Sequence, residues 1–444
     1  MRIAWFSPLR QRSAIGRFSV LVASEIAKQA TIELWVPDAA GEPLHETTIP
    51  IIRFNGVPRA AELLEEYDFL VYNLGDQLAN HGPIFEMSRQ VRGIVILHDY
   101  SMHNFFAAYF NERGRWDEYK RVMHRWHGVD LRETRGEHGW RVWETDEAFD
   151  YPLFQEAVLG ARGVVAHSQF VRDAVARSMA APVTHIPLAY EVDHSAPPLE
   201  RDALGIPAGK RLAVTVGQAN ENKRIHVVME MLAANPDLAE SLFYVVVGGC
   251  EGPYGEKVLA LRTQLGLEAQ VRFTGYASDG LLRSYLAHAD FCVNLRLPAM
   301  EGGSASCAEQ MLYGKAIVVT DTGVYRDLPD DCVWKTRPES ESADLERAIR
   351  ELTGDAEVRR KLGEAARSHA ERNFSPAAYA SSLLAFCDAV TFRRPAMDLI
   401  DEAARELRRM GITPDMEIVS TVARESALLM DGDYDPPILR ESQP

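Results

Sequence analysis

Short apolar runs rich in β-branched and aromatic residues recur along the chain, each followed by a longer amphipathic stretch, as in βα units built around parallel sheets. The first half predicts strands at Arg2–Phe6, Thr31–Val36, Phe69–Tyr72, Ile94–Leu97 and Gly163–Ala166. The pattern then breaks and restarts, predicting strands at Leu212–Val216, Leu242–Val247, Val271–Phe273, Phe291–Leu295 and Ala316–Thr320. The break holds Pro187, Pro197, Pro198 and Pro207 and no helical period. Proline removes backbone donors and favours extended chain, so this stretch reads as a linker between domains. The expected class is α/β: two doubly wound Rossmann-like domains, 1–190 and 208–376, joined by a linker at 191–207, with strand carboxyl ends facing a central cleft.

Three segments fall outside that repeat. Residues 104–156 read as a helical insertion capping the first domain. They hold four of the seven tryptophans, Trp116, Trp126, Trp140 and Trp143, which are either buried helix anchors or a surface for an acceptor, a partner or a membrane. Residues 377–430 read as C-terminal helices, one near Ala377–Val390 and a pair at Ala396–Met410 and Pro414–Leu429, and offer a surface for a homo-oligomer. The tail 431–444 reads as a frayed end.

Composition narrows the class. Of 444 residues, 46% are apolar and 25% charged, which suits globular domains with large cores. Sixty-four acids against 48 bases give a net charge of −16, which argues against a surface that neutralises a nucleic-acid backbone. The first half is much less acidic than the second, and only there is peripheral contact with the inner face of a membrane expected. No apolar run reaches the roughly 18–20 residues of a membrane helix. The five cysteines are odd in number and widely spaced, which fits a reducing cytoplasm and suggests neither a disulfide framework nor a metal site.

Four segments carry candidate chemistry. The first is the run from Met300 to Lys315, with Glu301, Gly302, Gly303, Ser304, Ser306 and Glu309. A strand, a glycine-bearing loop and a helix closed by Gly314 aim free amides and the positive end of a helix dipole at an anion. Glu309 has two readings: partner of Ser306 in a capping box, or, if Ser304 caps the helix, a group facing a ligand. In the second segment, Gly217-Gln218 lead to Lys223 and Arg224 at the head of a helix, where two cations oppose the dipole at about 0.3–1 kcal/mol each unless an anion sits there. The third is His98-Asp99 at the end of a strand, either a sugar or phosphate contact or a packed histidine beside a capping aspartate. The fourth is the loop Ser7–Arg17. It has Gly16 alone where a dinucleotide turn has three glycines, which disfavours a nicotinamide enzyme. No P-loop, nucleophile elbow or clustered metal signature appears.

These residues resemble the retaining glycosyltransferases of the two-Rossmann (GT-B) architecture, in the large family four, of the bacterial polysaccharide and glycan-biosynthesis type. The resemblance spans roughly residues 1–390. Its most specific element is Glu301 and Glu309, separated by seven residues and running into Gln310-Met311-Leu312-Tyr313-Gly314-Lys315. Phe6-Ser7-Pro8, Ser13-Ala14-Ile15-Gly16, Tyr72-Asn73-Leu74-Gly75, Leu97-His98-Asp99, His167-Ser168-Gln169-Phe170, Lys223 and Phe273-Thr274-Gly275-Tyr276 support it.

The resemblance implies hexose transfer from a GDP- or UDP-linked sugar to a glycan or lipid-linked acceptor hydroxyl, with retention and without metal or cofactor. It implies that Lys223 binds the donor diphosphate, Glu301 the donor sugar or its phosphate, and Glu309 the ribose. His98 lies beside the sugar and Gly16 beside the phosphates. Gly302, Gly303 and Ser304 line the donor, whose base lies near Gly249 and Tyr276. Gln218 departs from the family pattern, which has an arginine after the glycine. One expected diphosphate cation is therefore missing, and Arg224 or an arginine of the first domain is the expected substitute. A catalytically inactive nucleotide-sugar-binding scaffold and a nucleotide-sugar epimerase of the same fold are the competing readings.

Overall fold

The continuous apolar runs become the central strands of two parallel sheets in a computed structural model, which describes residues 1–38, 42–54, 63, 65–131, 145–193, 196–413 and 416–430. The first sheet is built from β1 (Arg2–Phe6), β2 (Thr31–Pro37), β3 (Ile51–Phe54), β4 (Phe69–Leu74), β5 (Ile94–Leu97), β6 (Gly163–Ala166) and β7 (Val183–His185). Among the described residues it has the order β3-β2-β1-β4-β5-β6-β7, with every pairing parallel. The second sheet comprises β8 (Arg211–Val216), β9 (Leu242–Val247), β10 (Val271–Phe273), β11 (Phe291–Asn294), β12 (Ala316–Thr320) and β13 (Trp334–Thr336). Its order, β10-β9-β8-β11-β12-β13, repeats the doubly wound arrangement, again in parallel.

In each sheet the chain reverses its direction of travel between two neighbouring strands, β1 and β4 in the first, β8 and β11 in the second. Loops leaving the carboxyl ends of such a pair diverge and open a crevice, so these two places are where the fold presents side chains to a ligand.

The chain divides into two units: the second takes Leu188–Ser375 and, of the described part of the expected insertion, Thr145–Asp150, and the first begins at Met1 and resumes at Pro376. Much of the expected linker packs on the second unit. Leu204 and Ile206 are buried in its core, and Arg272 donates to the carbonyls of Leu204 and Gly205.

The C-terminal region departs from its predicted form. One helix runs unbroken from Pro376 to Arg409 with Pro395 inside it, where two helices were expected. Its first half buries Tyr379, Leu383, Phe386 and Val390, and the half beyond the proline is tied down by Asp398 and Asp401, which pair with Arg162 and Arg92. Gly163 of β6 lies directly beneath it: a Cβ there would stand 2.7 Å from the Val390 side chain and 2.9 Å from the Phe386 ring. A further helix covers Glu417–Met430.

In the insertion, helices span His103–Glu112, Trp116–His127, Thr145–Asp150 and Phe154–Val158. Trp126 is half-buried and donates through Nε1 to Glu156, as a helix anchor would. Trp140, Trp143 and the tail 431–444 lie outside the described residues.

Candidate functional site

The crevice of the second unit collects its chemistry from the ends of β8, β11 and β12. After β8 the chain turns at Gly217, whose positive φ of 97° suits glycine, and a Cβ there would lie 2.4 Å from the Lys223 ammonium. Lys223 closes a 3-10 turn, Glu221–Lys223, and reaches back to donate from Nζ to the Val216 carbonyl at 3.2 Å. Neither Lys223 nor Arg224 therefore stands in the first turn of the helix Ile225–Ala234. Arg224 is its N-cap, in the left-handed region, and its guanidinium is held by the buried Glu341 at 2.7 Å. That ion pair joins the first turn of the helix Glu341–Gly354 to the guanidinium expected to replace the missing cation. Gln218 is exposed.

After β11 the chain passes through Leu295 and Arg296 into the glycine-bearing loop. Ser304 caps the helix Ala305–Leu312, accepting from the Cys307 N–H at 3.3 Å. This excludes the Ser306–Glu309 capping box, because Ser306 already lies inside the helix. Ser306 Oγ instead donates to Asn294 Oδ1 at 3.4 Å. Gly314 closes the helix at positive φ, as the sequence predicted. Glu309 is buried one turn further in, at 6% exposure, and Gly302 is buried beside the loop.

Glu301 is the most constrained acid of the crevice. Its Oε1 accepts from the Tyr325 hydroxyl at 2.6 Å and forms an ion pair with Arg296 Nε at 3.1 Å. Tyr325 follows β12, and its phenol is held well above its ordinary pKa by burial and then by the Glu301 charge, so it acts as a donor. Lys223 is pushed the other way. Burial first, then the charge of Arg296, lower its pKa well below 10.5, while Glu301 opposes them. A cation so placed gains most from an incoming anion. Arg296 and Tyr325 are the site residues that sequence reasoning missed.

Gly249 lies in the loop after β9, and Tyr276, 68% exposed, follows Gly275 at the end of β10; Gly248 and Gly275 bridge the two loops. A Cβ on Gly248 would meet the Gly217 carbonyl at 2.3 Å, so the loops carrying Lys223 and Gly249 touch through glycines.

In the first unit the same construction gives a histidine cluster. Asn73 spans the β1–β4 switch, donating from Nδ2 to the Phe6 carbonyl at 2.9 Å, so its Oδ1 faces His98 Nε2 at 3.0 Å. His98 Nε2 therefore carries a proton. His167, after β6, faces the Ile186 carbonyl with Nδ1 at 3.1 Å and so is protonated there. His98 Nδ1 and His167 Nε2 meet each other at 3.3 Å, the proton between them set by the tautomers of the two rings. Phe18 packs edge-on against both rings and against Tyr379, which lies tilted beside His167. Burial, then His167 and His81, lowers the His98 pKa well below 6.5. Both ring nitrogens of His98 thus face protein partners. Gly16 is buried in the first turn of the helix Ala14–Ile26, where its N–H is capped by Ser13 and a Cβ would lie 2.8 Å from the Pro8 carbonyl. Local packing alone accounts for a glycine there. Among the described residues no group of three or more His, Cys, Asp or Glu could hold a metal ion, and no helix is long and apolar enough to cross a membrane.

Comparison with known proteins bears on one stretch of the sequence and on the fold. Residues 198–369 match the sequence family described as glycosyl transferases group 1, a stretch that contains every second-unit residue named above. No curated protein matches the chain in sequence. Its fold is that of solved two-domain, Rossmann-like GT-B glycosyltransferases. Sucrose-phosphate synthase from Thermosynechococcus elongatus has a TM-score of 0.61 at 16% identity, over 88% of this chain and 99% of that one. HepE from Anabaena, solved in complex with UDP, has 0.59 at 16% identity, over 88% and 100%. WaaG, a glycosyltransferase involved in lipopolysaccharide biosynthesis, has 0.58 at 14% identity, over 88% and 100%.

Proposed function

We propose that the protein is a retaining glycosyltransferase that moves a hexose from a GDP- or UDP-linked sugar to a glycan or lipid-linked acceptor hydroxyl. The observation that carries this reading is the second-unit crevice, in which Lys223 and the capped N-terminus of Ala305–Leu312 stand at one switch point beside a fixed carboxylate, Glu301. The match of residues 198–369 to group 1 glycosyl transferases supports it.

The chemistry follows from charge. Departure of the nucleoside diphosphate places negative charge on phosphate oxygens, and an ammonium and preorganised amides stabilise it without reorganising solvent. The neighbouring amides and cation make a divalent metal dispensable. Glu301 orients the donor sugar through the carboxylate oxygen not shared by Arg296 and Tyr325. Glu309 holds the ribose, and the base lies along Gly249 and Tyr276. No acid is placed as a nucleophile beneath the sugar, so the departing phosphate takes the acceptor proton on the face it leaves, which preserves the anomeric configuration.

Purified protein is expected to release nucleoside diphosphate from a GDP- or UDP-hexose in the presence of EDTA. Lys223→Ala and Glu301→Ala are expected to lower that rate at least about a hundredfold, as loss of one preorganised charge-stabilising group does elsewhere. Their melting temperatures should change far less. Full activity in both variants overturns the site, and nucleotide binding without turnover on any donor and acceptor favours the scaffold reading.

A further inference from the structure

The second-unit crevice brings Arg296 and Lys223 together beside one fixed carboxylate, Glu301. Arg296 is buried, at 5% exposure, and its position is set on several sides. Its N–H donates to Thr320 Oγ1 at 3.1 Å, Nη1 to the Leu295 carbonyl at 2.7 Å, Nη2 to Ser306 Oγ at 3.4 Å, and Nε pairs with Glu301 at 3.1 Å. A guanidinium does not lose its proton, so burial leaves it charged. Lys223 lies within its electrostatic reach, and among the described residues the hydrogen-bond partner of its ammonium is the Val216 carbonyl. Glu301 Oε1 is already shared between Arg296 and Tyr325, so the Lys223 amine, disfavoured as an ammonium by burial and by Arg296, is charged at least cost when an anion arrives. Buried charge of one sign without its complement is costly, which is why an excess of it marks a place for a counter-ion. The N-terminal turn of Ala305–Leu312, to which Ser306 belongs, adds positive potential on the side where Nη2 points.

We propose that Arg296 is the second cation of the diphosphate pocket, standing in for the arginine absent at Gln218, and that Glu301 and Ser306 hold its fork in place. Lys223 and Arg296 then divide the two phosphates between an ammonium and a planar donor. Gln218, exposed on the neighbouring loop, is neutral because the charge comes from the β11 end of the switch point. This rests on the donor-site reading above and specifies how that site grips its ligand.

The test is binding of UDP, GDP, UMP, GMP and inorganic diphosphate by titration calorimetry to the full chain, its Arg296→Gln and Arg296→Lys variants, and the double variant Arg296→Gln with Gln218→Arg. Arg296→Gln is expected to weaken the better nucleoside diphosphate at least tenfold and the matching monophosphate no more than about threefold. Arg296→Lys keeps the charge beside Glu301 but loses the fork, and should fall between. Adding Gln218→Arg should recover most of the loss. If Arg296→Gln shows no melting transition, Arg296→Lys carries the test, with a selective loss of diphosphate affinity expected. Unchanged diphosphate affinity, or equal losses for mono- and diphosphates, overturns the role of Arg296 while leaving the donor site standing. A parent protein that binds none of these nucleotides overturns both.

Discussion

The sharpest consequences at the residue scale concern protons. His81 and His167 are buried and titrate near 4 instead of 6.5, so between those values the unfolded chain binds more protons than the folded one and stability rises with pH. Asp76 acts oppositely. Burial and the nearby Asp99 charge raise it from 3.8 to about 7, so the folded chain holds the extra proton across that range and stability falls as pH rises through it. Asp76→Asn removes only the second effect. Melting temperatures should nearly coincide with those of the parent near pH 4 and lie above them at pH 7 and beyond; curves that stay parallel across the range would contradict the assignment. Sequence reasoning reached Lys223, Glu301 and Glu309 because their spacing relative to strands and glycines is local. It missed Arg296 because an arginine after a strand looks like any of the 48 basic residues until burial shows where it points. It gave Arg224 a ligand role because the partner that claims it, Glu341, lies 117 residues away.

Elements were legible in proportion to how completely they are buried. The continuous apolar runs were all recovered as strands, but β3, β7 and β13, three edge strands, were missed. They are three or four residues long and hold at most one buried residue each, so neither alternation nor a solid apolar run marks them; β10, as short, was found from its Val-Arg-Phe run before a glycine turn. A break was expected between Val390 and Ala396, and the one proline there, Pro395, lacks a donor and crowds the preceding turn, yet the helix runs through it. Packing before it and ion pairs after it carry the helix through. That packing is testable at Gly163. Replacement by Val adds a branched side chain where one methyl already meets Val390 and Phe386, and should destabilise the protein by about 1–3 kcal/mol, as overpacking does. Limited proteolysis should then cut first within Pro376–Arg409. An unchanged cleavage pattern would mean the helix is held elsewhere. Ser304→Ala should cost about 1 kcal/mol through loss of the cap and also weaken nucleotide binding, since it loosens the turn that carries the amides.

For the whole molecule, two separate cores make ligand effects local. The residues assigned to the donor lie almost entirely in the second unit, so a nucleoside diphosphate at 100 times its dissociation constant should stabilise that unit by about 2.7 kcal/mol. Hydrogen exchange should slow around 217–223 and 296–309, while the amides of β1 and β4 exchange as before. Protection spread evenly over both units would point to a different site.

By itself the sequence determined the doubly wound α/β class of two domains, their central strands, the loops on which Lys223 and Glu301 sit and the helix that carries Glu309, because hydrophobic period and turn chemistry act over a few residues. Only the tertiary structure decided which cation meets which carboxylate and that the last helices return to the first unit. Those choices depend on burial and on pairing between distant segments, where a charge costs most and its partner matters most.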